Sequence, residues 1–231
     1  VSKLSHLGII LDGNGRWAKK SNKSRSEGHI EGAKKVVELL QEVINTNIEY
    51  LTLFALSCEN FKRNVVEIDN ILHTIEDFLL NKILPFAIAN NIKIRFIGSK
   101  ARLSKKYISS LDLIEEKTKR LTGVNLIIAL DYGGRSEIID AINALIKDTK
   151  NTNIDYIELE KYLYTAGIPD PDLIVRYGAQ QRLSNFLPLQ SIYSELKFED
   201  KFWPDFQKED VDKFIAYFNS IKRNYGGINE E

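Results

Sequence analysis

A single cysteine, Cys58, is all the thiol chemistry available to this 231-residue chain. That excludes an internal disulfide, and any zinc site made of four cysteines or of paired cysteines and histidines. There is no surplus of charge either, since 32 Lys and Arg balance 32 Asp and Glu. A surface that grips a nucleic-acid duplex carries a basic excess. Nucleic acid is therefore not an expected partner, and an anionic ligand should be small and held at one place. No segment approaches the ~18 consecutive apolar residues of a membrane span. The start, Val1 to His6, lacks the basic and apolar regions of a secretory signal. These absences together predict a soluble, cytoplasmic protein whose membrane contact, if any, is peripheral and at the inner face. Internal repeats and low-complexity tracts are missing as well.

What is present is the composition of a globular enzyme-sized chain, 43% apolar and 28% charged. The length suffices for one domain over residues 1–231 with a substantial core. Short apolar runs alternate with helical periodicity. Leu7 to Leu11, Tyr50 to Leu56, Ile92 to Ile97, Val124 to Leu130 and Asp172 to Arg176 read as strands buried on both faces. Helices are expected over His29–Asn45, Val65–Asn90, Ser104–Leu121, Ser136–Lys147 and Asp210–Arg223, with a polar surface loop from Asp148 to Asp155. The alternation predicts an α/β fold, a mostly parallel central sheet covered by helices on both faces. Ligands of such sheets bind beyond the carboxyl ends of the strands.

Three such ends carry chemistry. After the first strand comes Asp12-Gly13-Asn14-Gly15-Arg16-Trp17-Ala18. Its glycines let backbone N–H groups approach an anion, and Arg16 and Arg25 add positive charge. The spacing Gly13-x-Gly15-x-x-Ala18 also fits a dinucleotide-binding turn, a weak signal alone. Asp12 would repel a bare pyrophosphate, and the second strand does not end in the acidic ribose ligand that reading needs. A carboxylate beside phosphate-binding glycines suits Mg²⁺, which takes one or two carboxylates and fills its shell with phosphate oxygens and water. His29 follows Arg25 by one helical turn, so both can face the same anion. After the second strand, Ser57-Cys58-Glu59-Asn60-Phe61-Lys62-Arg63 suits a mobile loop over a site. No histidine lies near Cys58 in sequence, so it reads as a packing residue. After the fifth, Arg176, Arg182 and Ser184 can make several charge-assisted hydrogen bonds to a diphosphate. Each stretch, taken alone, is equally a solvated turn or a pair of surface ion pairs.

In series, however, the segments resemble the cis-prenyltransferases of the undecaprenyl diphosphate synthase family. The segment from His6 to Ala18 resembles the opening signature of that family, followed by Glu27-Gly28-His29 and Leu51 to Phe61. Tyr132-Gly133-Gly134-Arg135, Asp172 to Asn185, Tyr193-Ser194-Glu195-Leu196 and Trp203-Pro204-Asp205-Phe206 complete it in the family's order. The resemblance implies a homodimer with an undecaprenyl diphosphate synthase-like parallel sheet and an apolar tunnel for a growing prenyl chain. It implies condensation of isopentenyl diphosphate with an allylic prenyl diphosphate such as farnesyl diphosphate, and delivery of a long product to the membrane for cell-wall glycan synthesis. Mg²⁺ would be held by Asp12, the essential residue, and by Glu195. Gly13, Asn14, Gly15, Arg16, Arg25 and His29 would hold the allylic diphosphate. Trp17, Ser57, Cys58, Glu59, Phe61 and Arg63 would line the substrates and the loop. Arg176, Arg182, Leu183 and Ser184 would hold isopentenyl diphosphate, and Asn60 would lie near the departing proton, orienting its acceptor.

The chain departs from the family pattern where Tyr177 replaces a usual Thr, Gln180 a Glu, Phe61 a Trp and Asn64 a Pro, and at Leu187-Pro188-Leu189. The first two departures fall in the segment expected to take isopentenyl diphosphate. Two other readings are a non-catalytic subunit of a prenyltransferase complex and a nucleotide-binding oxidoreductase. The first predicts loss of the metal aspartate, which this sequence keeps.

Overall fold

Six strands form one all-parallel sheet in the computed structural model, which describes residues 3–148 and 154–223. The five expected strands are β1 (His6–Ile10), β2 (Tyr50–Ser57), β3 (Lys93–Ile97), β4 (Asn125–Tyr132) and β5 (Leu173–Arg176). A sixth, β6 (Glu195–Phe198), adds an edge that periodicity did not reveal. It is only half-buried, so its sequence shows no continuous apolar run. The order is β3-β4-β2-β1-β5-β6. Alternate residues of each strand feed different faces. Leu126, Ile128 and Leu130 join the larger core, whereas Ile127 and Ala129 face the smaller one.

The larger face is covered by α2 (Arg25–Val43), α3 (Val65–Phe78), α4 (Leu84–Ala89), α5 (Lys105–Thr118) and α8 (Glu209–Ser220). On the other face, Phe186 and Leu187 of the segment after β5 pack on the sheet with Tyr164 and Ile168. There α6 (Gly134–Asp148) is tied in by buried Glu137, which accepts hydrogen bonds from the Tyr132 hydroxyl and from Gln190. The long helix expected over residues 65–90 is interrupted by a π-helical turn, Leu79–Ile83. Pro85 brings no N–H to the carbonyl four residues back, so the ladder widens there. Two short helices escaped the sequence pattern: α1 (Asn14–Lys20), with one buried residue, and α7 (Tyr156–Glu160), with none. Most of the loop expected from Asp148 to Asp155 lies outside the described residues.

The topology decides where a ligand can sit. β1 lies between β2 and β5, and the connections that follow β1 and β5 leave in opposite directions. The crevice beyond their carboxyl ends is the switch point of the sheet. Asp12 follows β1 there, and Arg176 ends β5.

Candidate functional site

A cavity of about 370 Å³ opens at this switch point. Its mouth is lined by Asp12, Arg16, Arg25, His29, Arg63 and Arg176, together with Asn14, Ser57, Asn60 and Ser184. Its depth is apolar, with Val36 of α2, Leu53 of β2, and Ile71, Ile75, Phe78, Leu79 and Ile83 from α3 and the π-turn. A polar end and an apolar sleeve thus share one space.

The first anion cluster is shaped by local backbone. Gly13 has φ of 108°, in the left-handed region, and a Cβ there would lie 2.6 Å from the Phe202 ring. Only glycine meets both demands. On α2, a capping box between Ser24 and Glu27 starts the helix at Arg25. That is four residues earlier than the apolar periodicity predicted, and it places Arg25 and His29 one turn apart on the helix. The absence of a side chain at Gly32 lets α2 approach Asn14, whose Oδ1 would stand 2.2 Å from a Cβ there.

Arg176 is the hub of the second cluster. Its guanidinium donates to Asp12 Oδ2 at 2.9 Å, to Ser184 Oγ at 2.7 Å, and to the Arg182 carbonyl. Asp12 Oδ1 meets Arg16 at 3.1 Å. One carboxylate therefore bridges two guanidiniums from different ends of the chain and leaves a net positive charge between them. Three buried polar atoms around the mouth have no partner among the described residues: Asn14 Oδ1, His29 Nε2 and Arg176 Nε. Buried polar groups are rarely left so. Arg176 Nε–H, and His29 Nε2 in the tautomer that carries its hydrogen there, are donors that an anionic ligand would satisfy, whereas Asn14 Oδ1 is an acceptor and needs a donor.

The segment after β2 is a 3₁₀ turn, Cys58–Lys62, rather than an open loop. Asn60 Oδ1 accepts from the Ser57 N–H at 3.1 Å, so its NH₂ is the group left to donate. Glu67, which the sequence reading passed over, stands 3.2 Å from Arg63 and 3.4 Å from Arg25 and ties the turn to α2. The i,i+4 spacing of Arg63 and Glu67 was its signal. Asn185 was also missed. Its side chain donates to Glu59 at 2.8 Å and accepts from the Arg135 N–H at 3.0 Å, joining the turn to the segment after β5. An Asn at φ of 68° is a residue type that tolerates that backbone.

Protonation follows from these surroundings. Burial, then the Arg25 and Arg63 charges, push the His29 imidazole below its usual range, so it is neutral near pH 7. Burial, then the neighbouring Glu59, push the Cys58 thiol up, which keeps it protonated and suits a packing role.

Not every expected site residue reaches the cavity. Trp17 lies outside its lining, donating to Asp205 at 2.8 Å. Cys58, Glu59 and Phe61 belong to the turn but not the lining, and Leu183 packs on the smaller core. Arg182 also stands outside, its side chain held by Gln180 at 2.5 Å. Tyr177 turns away from the anion cluster altogether. Fully buried, it packs edge-on against Trp203 at 5.1 Å, and its hydroxyl donates to Asp210. The departure from Thr at this position therefore changes the core rather than the site.

Glu195 requires a correction. It opens β6 in register with Leu173, which pairs with Leu7, whereas Asp12 lies beyond Ile10 at the other end. That is at least about 10 Å along the strands, from the level of Leu7 to that of Ile10, and two strand spacings, about 10 Å more, across them. Mg²⁺ ligands stand ~2 Å from the ion, so Asp12 and Glu195 cannot share one within a protomer. Glu195 instead faces Arg223 at 3.4 Å. Among the described residues no group of three or more His, Cys, Asp or Glu could hold a metal. The single carboxylate of Asp12 still fits Mg²⁺, provided that phosphate oxygens complete the shell.

Comparison with known proteins finds relatives along nearly the whole chain. The family model described as "Putative undecaprenyl diphosphate synthase" matches residues 10–226. An isoprenyl transferase of Fusobacterium nucleatum is 40% identical over 223 residues, covering 96% of each chain. A ditrans,polycis-undecaprenyl-diphosphate synthase ((2E,6E)-farnesyl-diphosphate specific) of Micrococcus luteus is 40% identical over 228 residues, covering 96% of this chain and 91% of its own. Among solved structures, lavandulyl diphosphate synthase from Lavandula x intermedia, in complex with dimethylallyl diphosphate, superimposes with a TM-score of 0.91 at 31% identity. That match covers 96% of this chain and 98% of the other. A probable undecaprenyl diphosphate synthase from Campylobacter jejuni gives 0.80 at 32% identity, covering 98% and 100%.

Proposed function

The chain belongs to the undecaprenyl diphosphate synthase family, and from that premise we propose that it condenses isopentenyl diphosphate with an allylic prenyl diphosphate, such as farnesyl diphosphate, to give a long-chain cis-polyprenyl diphosphate. The observation that carries this reading is the cavity itself, a mouth rich in cations and unsatisfied polar atoms opening into an apolar sleeve. That is the shape of a ligand with a diphosphate head and a hydrocarbon tail.

In this reading the backbone and side chains of Gly13 to Arg16, with Arg25 and His29, hold the allylic diphosphate. Arg176 and Ser184, with Arg182 approaching from outside the cavity, hold that of isopentenyl diphosphate. The π-bond of isopentenyl diphosphate attacks the allylic carbon as its bond to diphosphate breaks, and loss of a proton leaves the new cis double bond. Arg16, Arg25 and the N–H groups after Gly13 stabilise the negative charge that the leaving diphosphate gains. Asn60, with its NH₂ free to donate, orients the proton's acceptor, a diphosphate oxygen or water, and is not itself the base. Asp12, with phosphate oxygens of the substrates, would hold Mg²⁺, which would add positive charge against the leaving group. Each five-carbon addition lengthens the apolar part, which the sleeve between α2, α3 and β2 favours.

The reading extends to a homodimer acting in the cytoplasm and releasing its product to the membrane's inner face. Exposed Ile139 and Ile146 on α6, and Ile192 in the segment before β6, support an interface there. No helix among the described residues is long and apolar enough to cross a membrane. The deciding experiment is incubation of the protein with labelled isopentenyl diphosphate, farnesyl diphosphate, Mg²⁺ and detergent, followed by sizing of the extracted lipid. A ladder of products in five-carbon steps is expected. Label that never enters the lipid fraction would reject the assignment.

A further inference from the structure

Arg102 belongs to none of the motifs above, yet it reaches the turn that covers the cavity. It lies in the loop between β3 and α5, which is pressed onto the end of β4. Gly98, at φ of 136°, passes so close that a Cβ would stand 1.8 Å from the Leu130 carbonyl. The Ser99 N–H donates to the Asp131 carbonyl at 3.2 Å. Asp131 is fully buried and sits at φ of 51°. Its carboxylate accepts from Arg102 three times: from the backbone N–H at 3.3 Å, from Nε at 2.8 Å and from Nη2 at 2.5 Å. Main chain and guanidinium of Arg102 are thus fixed by one buried carboxylate. The guanidinium carbon lies 5.0 Å from the centroid of the Phe61 ring. Phe61 belongs to the Cys58–Lys62 turn, next to Asn60 and two residues from Arg63, both of which line the cavity.

We propose that Arg102 is a positioning residue: a rigid cationic platform, anchored on Asp131, on which Phe61 seats the turn and so holds Asn60 and Arg63 at the diphosphates. An ordinary surface ion pair leaves its arginine mobile. Here Asp131 fixes the guanidinium plane, and the ring rests on it. A phenyl ring attracts a cation less than an indole does, so the Phe61 found here closes the turn less firmly than a Trp would. The catalytic consequence rests on the condensation proposed above, but the platform itself does not.

Lys62 and Arg63 make the turn a tryptic site, and cleavage there reads the open population when opening is fast. The full chain without substrate is digested briefly, and cleavage after Lys62 and Arg63 is followed by mass spectrometry, with melting curves alongside. A partly exposed cation–π contact predicts a two- to fivefold rise in cleavage for Arg102→Ala. Phe61→Leu should give a similar rise, and the double variant no more than either alone. Phe61→Trp leaves Arg102 and Asp131 untouched and should cut more slowly than the native protein, so the test survives if Arg102→Ala unfolds. In the condensation assay Arg102→Ala should lower kcat/KM for isopentenyl diphosphate by a similar factor, and Arg102→Lys should restore part of the loss. Additive effects of Arg102→Ala and Phe61→Leu, or cleavage unchanged in Phe61→Trp, would overturn the platform. The expected cleavage pattern in a protein without condensing activity would uphold the platform and reject only the reaction.

Discussion

Replacing Asp12 by Asn should strengthen the binding of bare diphosphate while abolishing turnover. Asp12 now lies 2.9 Å from Arg176 and 3.1 Å from Arg16, so it occupies the charges that a diphosphate needs. A unit negative charge arriving ~5 Å from that carboxylate would meet a repulsion of about 3 kcal/mol at an effective dielectric of ~20. Asp12 is about one-third exposed (31%), and water and salt reduce the net effect to about 1.4 kcal/mol, or tenfold in affinity. The change also strands Arg176, whose side chain is only 5% exposed. A wholly buried pair loses ~3–5 kcal/mol when one partner goes, so roughly 2 kcal/mol is expected for this half-open one. At this chain length that lowers Tm by about 4–8 °C. Thermal shifts with inorganic diphosphate, in chelator and in excess Mg²⁺, supply the assay. In chelator the variant should bind about tenfold more tightly than the native protein and recover more of its Tm. Adding Mg²⁺ should improve binding by the native protein and leave the variant unmoved, with turnover down by orders of magnitude. Equal improvement by Mg²⁺ in both proteins would refute the placement of the ion on Asp12.

Three further outcomes follow from the same geometry. Gln180→Glu should convert the 2.5 Å contact with Arg182 into an ion pair that competes with substrate, raising KM for isopentenyl diphosphate about fivefold at saturating primer; a lower KM would contradict this. His29 is held neutral by burial and by Arg25 and Arg63, so a diphosphate beside it should raise its pKa and draw in a proton. Calorimetry near pH 7 in buffers of different ionisation enthalpy should show that uptake, and its persistence in His29→Asn would exclude His29 as the source. His6 is buried with Nδ1 donating to the Pro169 carbonyl at 2.6 Å and Nε2 accepting from the Thr52 hydroxyl at 2.7 Å. Burial lowers its pKa from 6.5 to about 4. Between those values the unfolded chain binds more protons, so stability is full above pH 6.5 and falls by about 3 kcal/mol as pH drops to 4. Denaturant midpoints across that range should lose most of their slope in His6→Gln, and an unchanged slope would reject His6 as the cause.

The family, the parallel sheet and most of the cavity mouth were legible in the sequence. Runs such as Leu126 to Leu130 must be buried on both faces, and a strand buried on both faces implies helices around a parallel sheet. Asp12, Gly13, Arg25 and His29 were legible because their chemistry is local: a left-handed turn and one helical repeat place them. What the sequence alone could not decide was everything set by strand order. Asp12 and Arg176 are 164 positions apart, and only the adjacency of β1 and β5 makes them a 2.9 Å pair. The same order carries Glu195 to the far end of the sheet, because the register of β6 on β5 starts at Leu173. Tyr177 follows Arg176 in a motif that reads as polar. Yet successive residues leaving a strand point to opposite sides, and the side it met was a core of Trp203, Phe206 and Phe214. Arg102 and Phe61 stand 41 positions apart on two different loops and left no pattern at all. Side-chain type and local period are properties of short segments, whereas which loops meet over a cavity depends on how the whole sheet is laid down.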